Sequence, residues 1–158
     1  MEIRSAIVAD AAEACAVLRR SISELCFPDH GNDPSLLARW LSNKTPENVA
    51  SWIARPGHSL LVAVEDSAIL AVGAVTDAGE ITLNYVSPDA RFRGVSRTLL
   101  RALEVRAGER GNAQCSLVST ETAHRFYLST GYCETGPAVI MFGMQGYPMS
   151  KRLPVQKS

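Results

Sequence analysis

A stretch of two arginines and a glycine has the residue types that bind an anion. Residues Arg91 to Gly94 read Arg-Phe-Arg-Gly, and apolar residues recur at helical spacing from Val95. The first turn of a helix carries backbone N–H groups without helical partners and a partial positive charge, so it attracts phosphate groups. A glycine there lets the backbone approach a ligand, and guanidinium groups bind phosphate oxygens in pairs. The stretch therefore predicts a pyrophosphate site.

A simpler alternative is a turn glycine flanked by solvated arginines. Two common phosphate loops are excluded by the sequence, which has no Gly-Lys-Ser/Thr ending and no Gly-x-Gly-x-x-Gly. If a phosphate group binds here, it is held by a different kind of loop.

The elements around this loop must hold it in position. Ile81 to Val86 is rich in β-branched and large side chains, and Pro88 ends the strand because it has no N–H to donate. A helix from Val95 to about Arg110 follows, and then a strand over 113–118. Strand, loop, helix and strand form a crossover, so we expect parallel neighbouring strands with the loop at their carboxyl ends.

The order Val86-x-Pro88, followed by Arg91-x-x-Gly94-x-Ser96, resembles the acetyl-coenzyme A signature of the GNAT N-acetyltransferase superfamily. Two further segments are similar to that family. Ile3-Arg4, followed by Asp10 and an alanine-rich helix, resembles its first strand and helix, and 123–132 resembles a later helix and turn. The resemblance therefore spans most of the chain. Ser96 replaces a residue that is usually Gly or Ala, and Thr120 stands where the family often has Asn.

This resemblance implies a GNAT-like α/β fold, in which a mixed sheet of about seven strands is flanked by helices. It also implies that the two central parallel strands splay apart and hold the pantetheine arm of acetyl-coenzyme A, which would be a cosubstrate. Val86 would bond that arm as another strand does. The implied cofactor-binding residues are Val86, Arg91, Phe92, Arg93, Gly94, Val95, Ser96, Arg97 and Thr120.

Two residues are candidates for the chemistry of acetyl transfer. A lysine-like amine has a pKa of about 10.4, so only about one molecule in a few thousand is neutral at pH 7, and a base is needed. Glu80 lies eleven residues before Arg91, where some histone-acetylating members of the family carry a catalytic glutamate. Tyr127 matches the family tyrosine that donates to the departing sulfur. Alternatively, Glu80 is only a solvated residue at the start of a strand, and Tyr127 is only an aromatic residue of the core. His58 and His124 are weaker candidates for the base.

Length and composition limit the remaining choices. With 158 residues and no net charge, the chain predicts one domain over 1–158 and disfavours nucleic acid or an anionic membrane as the partner. The four cysteines have no metal-knuckle spacing, so we expect reduced thiols and no metal. The sequence has neither a signal peptide nor an apolar run that could span a bilayer, so we expect a cytoplasmic protein. Whether it forms a homodimer does not follow from the sequence.

The rest of the chain predicts further strands and helices. Asp10 is expected to cap a helix, and Pro28 to Pro34 is expected to form a loop. The region 139–144 is either a strand or a flexible flap. Strands are predicted over 2–8, 59–64, 69–75, 80–86, 113–118, 132–135 and 147–153, and helices over 11–20, 35–42, 46–54, 95–110 and from 119 or 120 to 130.

Together these features predict an acetyl-coenzyme A-dependent N-acetyltransferase that acts on a primary amine of a small molecule or peptide. The alternative is a module of the same fold that binds coenzyme A without turnover, as a sensor or scaffold. A third hypothesis is an interaction protein whose loop binds some other anion. The acceptor amine does not follow from the sequence.

Overall fold

The chain folds into strands and helices in nearly the order that its apolar runs predict. The computed structural model describes residues 1–154, and we number its elements in chain order. They are β1 (Glu2–Ser5), α1 (Ala11–Leu25), α2 (Phe27–His30), α3 (Pro34–Leu41), α4 (Pro46–Ala54), β2 (His58–Glu65), β3 (Ala68–Thr76), β4 (Ile81–Val86), α5 (Val95–Glu109), β5 (Gln114–Ser119), α6 (His124–Ser129), β6 (Cys133–Glu134), β7 (Val139–Met141) and β8 (Met144–Arg152).

Two sheets meet at the centre of the molecule. One is an antiparallel meander in the order β1-β2-β3-β4, and the other has the order β5-β8-β6 with β7 paired to β8. Within residues 1–154, β4 and β5 are joined by one parallel bridge between Glu80 and Ser116. The predicted α/β class with splayed central strands is confirmed. The strand number is eight rather than about seven, because 139–141 forms a hairpin with the start of the long last strand.

Helices cover both faces of the meander and form the core there. On one face, α5 buries the side that its spacing predicts, including Leu99 and Leu103. On the other face, α1 and α4 pack Leu18 and Val49 against the strands. A third apolar cluster lies between the C-terminal end of α1 and helix α3, and it includes Ile22, Trp40 and Met144. The sheet centre is therefore closed on both sides.

The N-terminal third differs from the prediction in four places. The first strand ends at Ser5 rather than at residue 8, and Val8–Asp10 is a 3-10 turn. The Asp10 carboxylate does not cap α1, because it accepts from Arg4 and from the Ile7 N–H at 2.8 Å. Helix α1 continues five residues beyond Arg20. The expected loop over 28–34 begins with the helical turn α2, where a proline at an early helix position is tolerated.

The C-terminal half differs in smaller ways. Helix α6 starts at His124, later than the predicted residues 119 or 120, although the Thr120 hydroxyl still caps the preceding turn by accepting from the Ala123 N–H at 3.1 Å. Glu104, which the spacing of α5 directs to solvent, instead accepts hydrogen bonds from Tyr132 at 2.8 Å and Lys151 at 3.1 Å. These bonds join the crossover helix to the second sheet.

One close approach in the core gives a stability test. A Cβ added to Gly73 on β3 would lie 2.8 Å from a Leu103 methyl carbon and 3.1 Å from one of Leu99. We expect Gly73→Ala to lower the free energy of unfolding by about 1–3 kcal/mol through overpacking, measured by urea denaturation. Gly136→Ala is the control, because its Cβ would meet no atom within 4 Å. Equal stability of the two variants would contradict the packing assigned to α5.

Candidate active site

The strands β4 and β5 diverge and leave a crevice between them. At their only bridge within residues 1–154, Ser116 N donates to Gly79 O at 3.0 Å. Farther along, Ser87 N donates to Leu70 O, toward β3, at 2.7 Å. Because alternate residues direct their backbone groups to opposite edges of a strand, the N–H and C=O of Val86 face the crevice. A strand-like ligand could therefore bond to this edge.

The carboxyl end of the crevice opens into a cavity of about 540 Å³ beside the loop before α5. Gly94, with φ +76°, begins the helix, and Phe92 also has a left-handed φ of +65°. Arg91 and Arg97 line the cavity and form no ion pair with any residue in 1–154. Two available guanidinium groups and a helix N-terminus thus face one space, which suits an anionic ligand.

Most of the residues that the sequence singled out come together at this cavity. Its walls include Val86, Arg91, Phe92, Gly94, Val95, Ser96, Arg97, Thr120 and Tyr127. Arg93 is not among them, because its guanidinium forms an ion pair with Glu65 on β2. The Phe92 side chain is 89% exposed at the cavity mouth, with the Arg91 guanidinium 4.5 Å from its ring centroid.

Glu80 lies away from this cavity, at the opposite end of β4. Its N–H donates to the Thr76 hydroxyl at 3.2 Å, its C=O accepts from Thr76 N, and its side chain is exposed. Asn84 lies four positions farther along the chain, which is about 13 Å along a strand. A carboxylate at this position can act on a group near Asn84 only through intervening water.

Tyr127 is held in the crevice by a residue that sequence reasoning missed. Asn84 Nδ2 donates to the Tyr127 hydroxyl at 3.0 Å, so the phenol's own proton stays available for another acceptor. Burial raises the pKa of Tyr127 to about 12, although the Asn84 bond opposes part of that rise. The phenol is therefore a hydrogen-bond donor at any ordinary pH. An amide side chain within the apolar run of β4 is the signal in the sequence that could have identified Asn84.

Other cavity residues gave no signal of function in the sequence. Tyr85 is enclosed beneath α3, accepts a hydrogen bond from Trp40 Nε1 at 3.3 Å, and has a pKa raised by burial. Cys26 lines the cavity, and burial raises the pKa of its thiol to about 12, so it remains protonated. All four cysteines are free. These side chains supply apolar walls rather than a nucleophile.

The two histidines considered as bases lie outside the cavity. His124 bonds to Glu134 at 2.6 Å and stacks on Tyr147 with ring centroids 4.4 Å apart. His58 contacts Trp52 O and the Thr82 hydroxyl, each at 3.2 Å, on the far side of the meander. Neither side chain reaches Tyr127 in this arrangement.

A carboxylate from the first half of the chain fixes the loop that carries Thr120. Asp29 on α2 accepts from the Glu121 N–H at 2.7 Å and from the Thr122 N–H at 3.0 Å, and the Thr122 hydroxyl also donates to it. Because Thr120, Thr122 and Tyr127 all line the cavity, this contact fixes one wall of it.

Comparisons with known proteins agree with this geometry. The family model described as an acetyltransferase (GNAT) domain matches residues 27–153. No curated protein sequence matches the chain.

Solved structures are similar over nearly the whole length. A GCN5-related N-acetyltransferase from Rhodopseudomonas palustris superposes with a TM-score of 0.84 and 25% identity, covering 96% of this chain and 95% of that one. PaiA N-acetyltransferase from Thermoplasma acidophilum, solved with coenzyme A, superposes with a TM-score of 0.82 and 19% identity. The match covers 96% of this chain and 98% of that one. YncA from Salmonella typhimurium, a putative acetyltransferase solved with acetyl-CoA, superposes with a TM-score of 0.72 and 21% identity. The match covers 100% of this chain and 96% of that one. The last two likenesses establish the fold alone.

The helices and the His, Cys, Asp and Glu side chains of residues 1–154 bear on two other classes of site. No helix there has both the length and the apolar character needed to cross a bilayer. In the same residues, no three or more His, Cys, Asp or Glu side chains gather in a way that could hold a metal ion.

The Asp29 contact predicts a local change that can be measured. We expect Asp29→Ala to destabilise the protein by about 1–3 kcal/mol, because it leaves two N–H donors without their charged acceptor. Amide hydrogen exchange at Glu121 and Thr122 should accelerate. The control is Asp33→Ala, because Asp33 accepts from Ser35 N and Leu36 N within its own helix α3. It should leave exchange at 121 and 122 unchanged, and unchanged exchange in Asp29→Ala would contradict the role of this contact.

Proposed function

The chain belongs to the GNAT acetyltransferase family, and on that premise we propose that it moves an acetyl group from acetyl-coenzyme A to a primary amine of a small molecule or peptide. The observation that carries this proposal is the joined crevice and cavity. A strand edge that has no ladder partner among residues 1–154 leads there to a helix N-terminus flanked by Arg91 and Arg97. A long ligand with an amide-rich arm and phosphate groups has the matching shape and charge.

The residues present fit acetyl-coenzyme A. We propose that the backbone of Val86 bonds the pantetheine arm, and that Arg91, Arg97 and the N–H groups of 94–97 bind the pyrophosphate. Space for that group lies beside Gly94, where a Cβ would meet no atom of residues 1–154 within 4 Å. Phe92, Val95, Ser96 and Thr120 complete the walls. Arg93 would act from outside, by its ion pair with Glu65 that fixes the loop.

Acetyl transfer needs a neutral amine and a stable leaving thiolate. We propose that Glu80 removes the amine proton through water, and that the amine then attacks the thioester carbonyl and displaces the thiolate. Tyr127 would donate its hydrogen bond to that sulfur, while Asn84 holds the phenol oxygen. Because the pKa of Tyr127 is about 12, the phenol keeps its proton and stabilises the thiolate mainly as a donor.

The alternative is that the domain binds coenzyme A without turnover, as a sensor or scaffold. Release of free coenzyme A thiol from acetyl-coenzyme A, measured with a panel of primary amines, distinguishes the two. Amine-dependent release supports the enzyme. Coenzyme A binding without release by any amine would favour the silent module, and equal affinity for sulfate and coenzyme A would point to a general anion site.

Gly94 offers a test of the phosphate loop with a close control. Gly94 and Gly31 both have left-handed φ angles, +76° and +55°, and a Cβ at either would meet open space. Alanine at either position should therefore cause a similar loss of stability from backbone strain, about 1–2 kcal/mol. We expect only Gly94→Ala to weaken coenzyme A binding, by about tenfold or more in calorimetry, because its Cβ occupies the phosphate approach. Equal affinities of the two variants would remove the loop from the site.

Glu80→Gln tests the proposed base through the pH dependence of its effect. With a lysine-like acceptor near neutral pH, kcat/KM should fall by about 10²–10⁴-fold, and the deficit should shrink as rising pH deprotonates the amine without help. Glu109→Gln, an exposed change at the end of α5, should keep the wild-type profile. A deficit that stays constant with pH would eliminate Glu80 as the base.

Tyr127→Phe should behave differently, because it removes a donor rather than a titrating group. We expect a smaller loss in kcat that varies little between about pH 7 and 8.5, far below the pKa of about 12. Coenzyme A affinity should be preserved. A variant with full activity would return Tyr127 to a purely structural role in the core.

A further inference from the structure

A second cavity lies on the face of the meander that α1 and α4 cover. It encloses about 280 Å³ where α4 ends and β2 begins, and it shares the walls Thr82 and Leu83 with the crevice between β4 and β5. The pairing of β3 with β4 is irregular at this point, where Ala74 faces Leu83 and Val75 faces Ile81, so Thr82 is an extra residue. The bulged residue Thr82 therefore lies on the border that the crevice and this cavity share.

The polar side of this cavity is fixed by His58. Trp52 O can only accept, so His58 Nδ1 carries a proton and donates to it at 3.2 Å, and His58 Nε2 lies within hydrogen-bond distance of the Thr82 hydroxyl, at 3.2 Å. Both nitrogens are thus occupied by protein partners. The ring and the hydroxyl form a rigid wall at the point where cavity and crevice meet.

The other walls combine apolar surface with one cation. The Trp52 ring system and Leu83 supply the apolar part, and Arg55, at the end of α4, supplies the charge. The Arg55 side chain is exposed and has no ion pair or hydrogen-bond partner among residues 1–154. A guanidinium group is the side chain best shaped to bind a carboxylate with two parallel hydrogen bonds.

We propose that this second cavity binds the far end of the acceptor, and that the acceptor is a primary amine linked through an apolar body to a carboxylate. This inference rests on the proposed function, because it needs the reacting amine to lie in the crevice near Asn84. Thr82 is two residues from Asn84, about 7 Å along the strand, and Arg55 lines the same cavity as Thr82. A separation of about 10 Å between amine and carboxylate matches an extended peptide of about three residues.

A pair of tripeptides tests the recognition of the carboxylate. We expect the wild-type protein to acetylate Ala-Ala-Phe with at least tenfold higher kcat/KM than its C-terminal amide, chiefly through a lower KM. Arg55→Gln should reduce the activity with the free acid to that with the amide, and leave the amide unaffected. Arg101→Gln, an exposed change on α5, is the matched control and should retain the preference.

Trp52 gives a second readout that does not need turnover. The chain has two tryptophans, so Trp40→Phe leaves Trp52 as the only one. In that variant with coenzyme A present, Ala-Ala-Phe should change the fluorescence saturably, and adding Arg55→Gln should raise the apparent Kd at least tenfold. Trp52→Phe should abolish the signal.

The outcomes separate this inference from the proposed function. Equal kcat/KM for the two peptides, no effect of Arg55→Gln on either readout, or acetylation of other amines but neither peptide would overturn the inference and leave the proposed function intact. If no amine is acetylated at all, the proposed function fails, and a saturable Trp52 signal sensitive to Arg55→Gln would still support a carboxylate site in this cavity.

Discussion

The parallel bridge between Glu80 and Ser116, the one link of this kind between β4 and β5 in residues 1–154, is the constraint on which the rest of the structure depends. Beyond it, the extra residue Thr82 bends β4, and Tyr127 and Asn84 bond to each other inside the gap between the strands. Backbone groups along such an edge need partners from side chains, water or a ligand, because an unpaired buried N–H or C=O is costly. An open strand edge next to a helix N-terminus is therefore a site built for a long polar ligand.

A fold with an opening at its centre must be held together elsewhere. Lys151 on β8 and Tyr132, just before β6, both bond to Glu104 on α5, whose side chain is only 11% exposed. Asp29 joins α2 to the loop that precedes α6. These contacts are partly shielded from water, where charge-assisted hydrogen bonds are stronger than at the surface. The crevice can therefore stay open without loosening the two sheets.

The same burial decides which groups can move protons. The phenol of Tyr127 and that of Tyr85 both have raised pKa values because they are enclosed, so neither is a base. The Cys26 thiol at the cavity wall is protonated for the same reason. Within residues 1–154, the walls around the reacting position thus offer donors and apolar surface. In the proposed mechanism a base would therefore act from the solvent side, and Glu80 lies on that side, at the exposed end of β4.

The sequence by itself determined the elements and the loop, because both follow from local patterns. Apolar spacing predicts α5 and the meander, and the glycine after two arginines marks the start of α5. Tertiary structure decided what Asp10, Arg93, Glu104 and Asn84 contact, since their partners are set by which elements pack together. It also decided that Thr82 joins the crevice to a second cavity. Strand alternation predicts which face a side chain takes, but a bulge and a diverging partner strand arise only when the whole sheet is assembled.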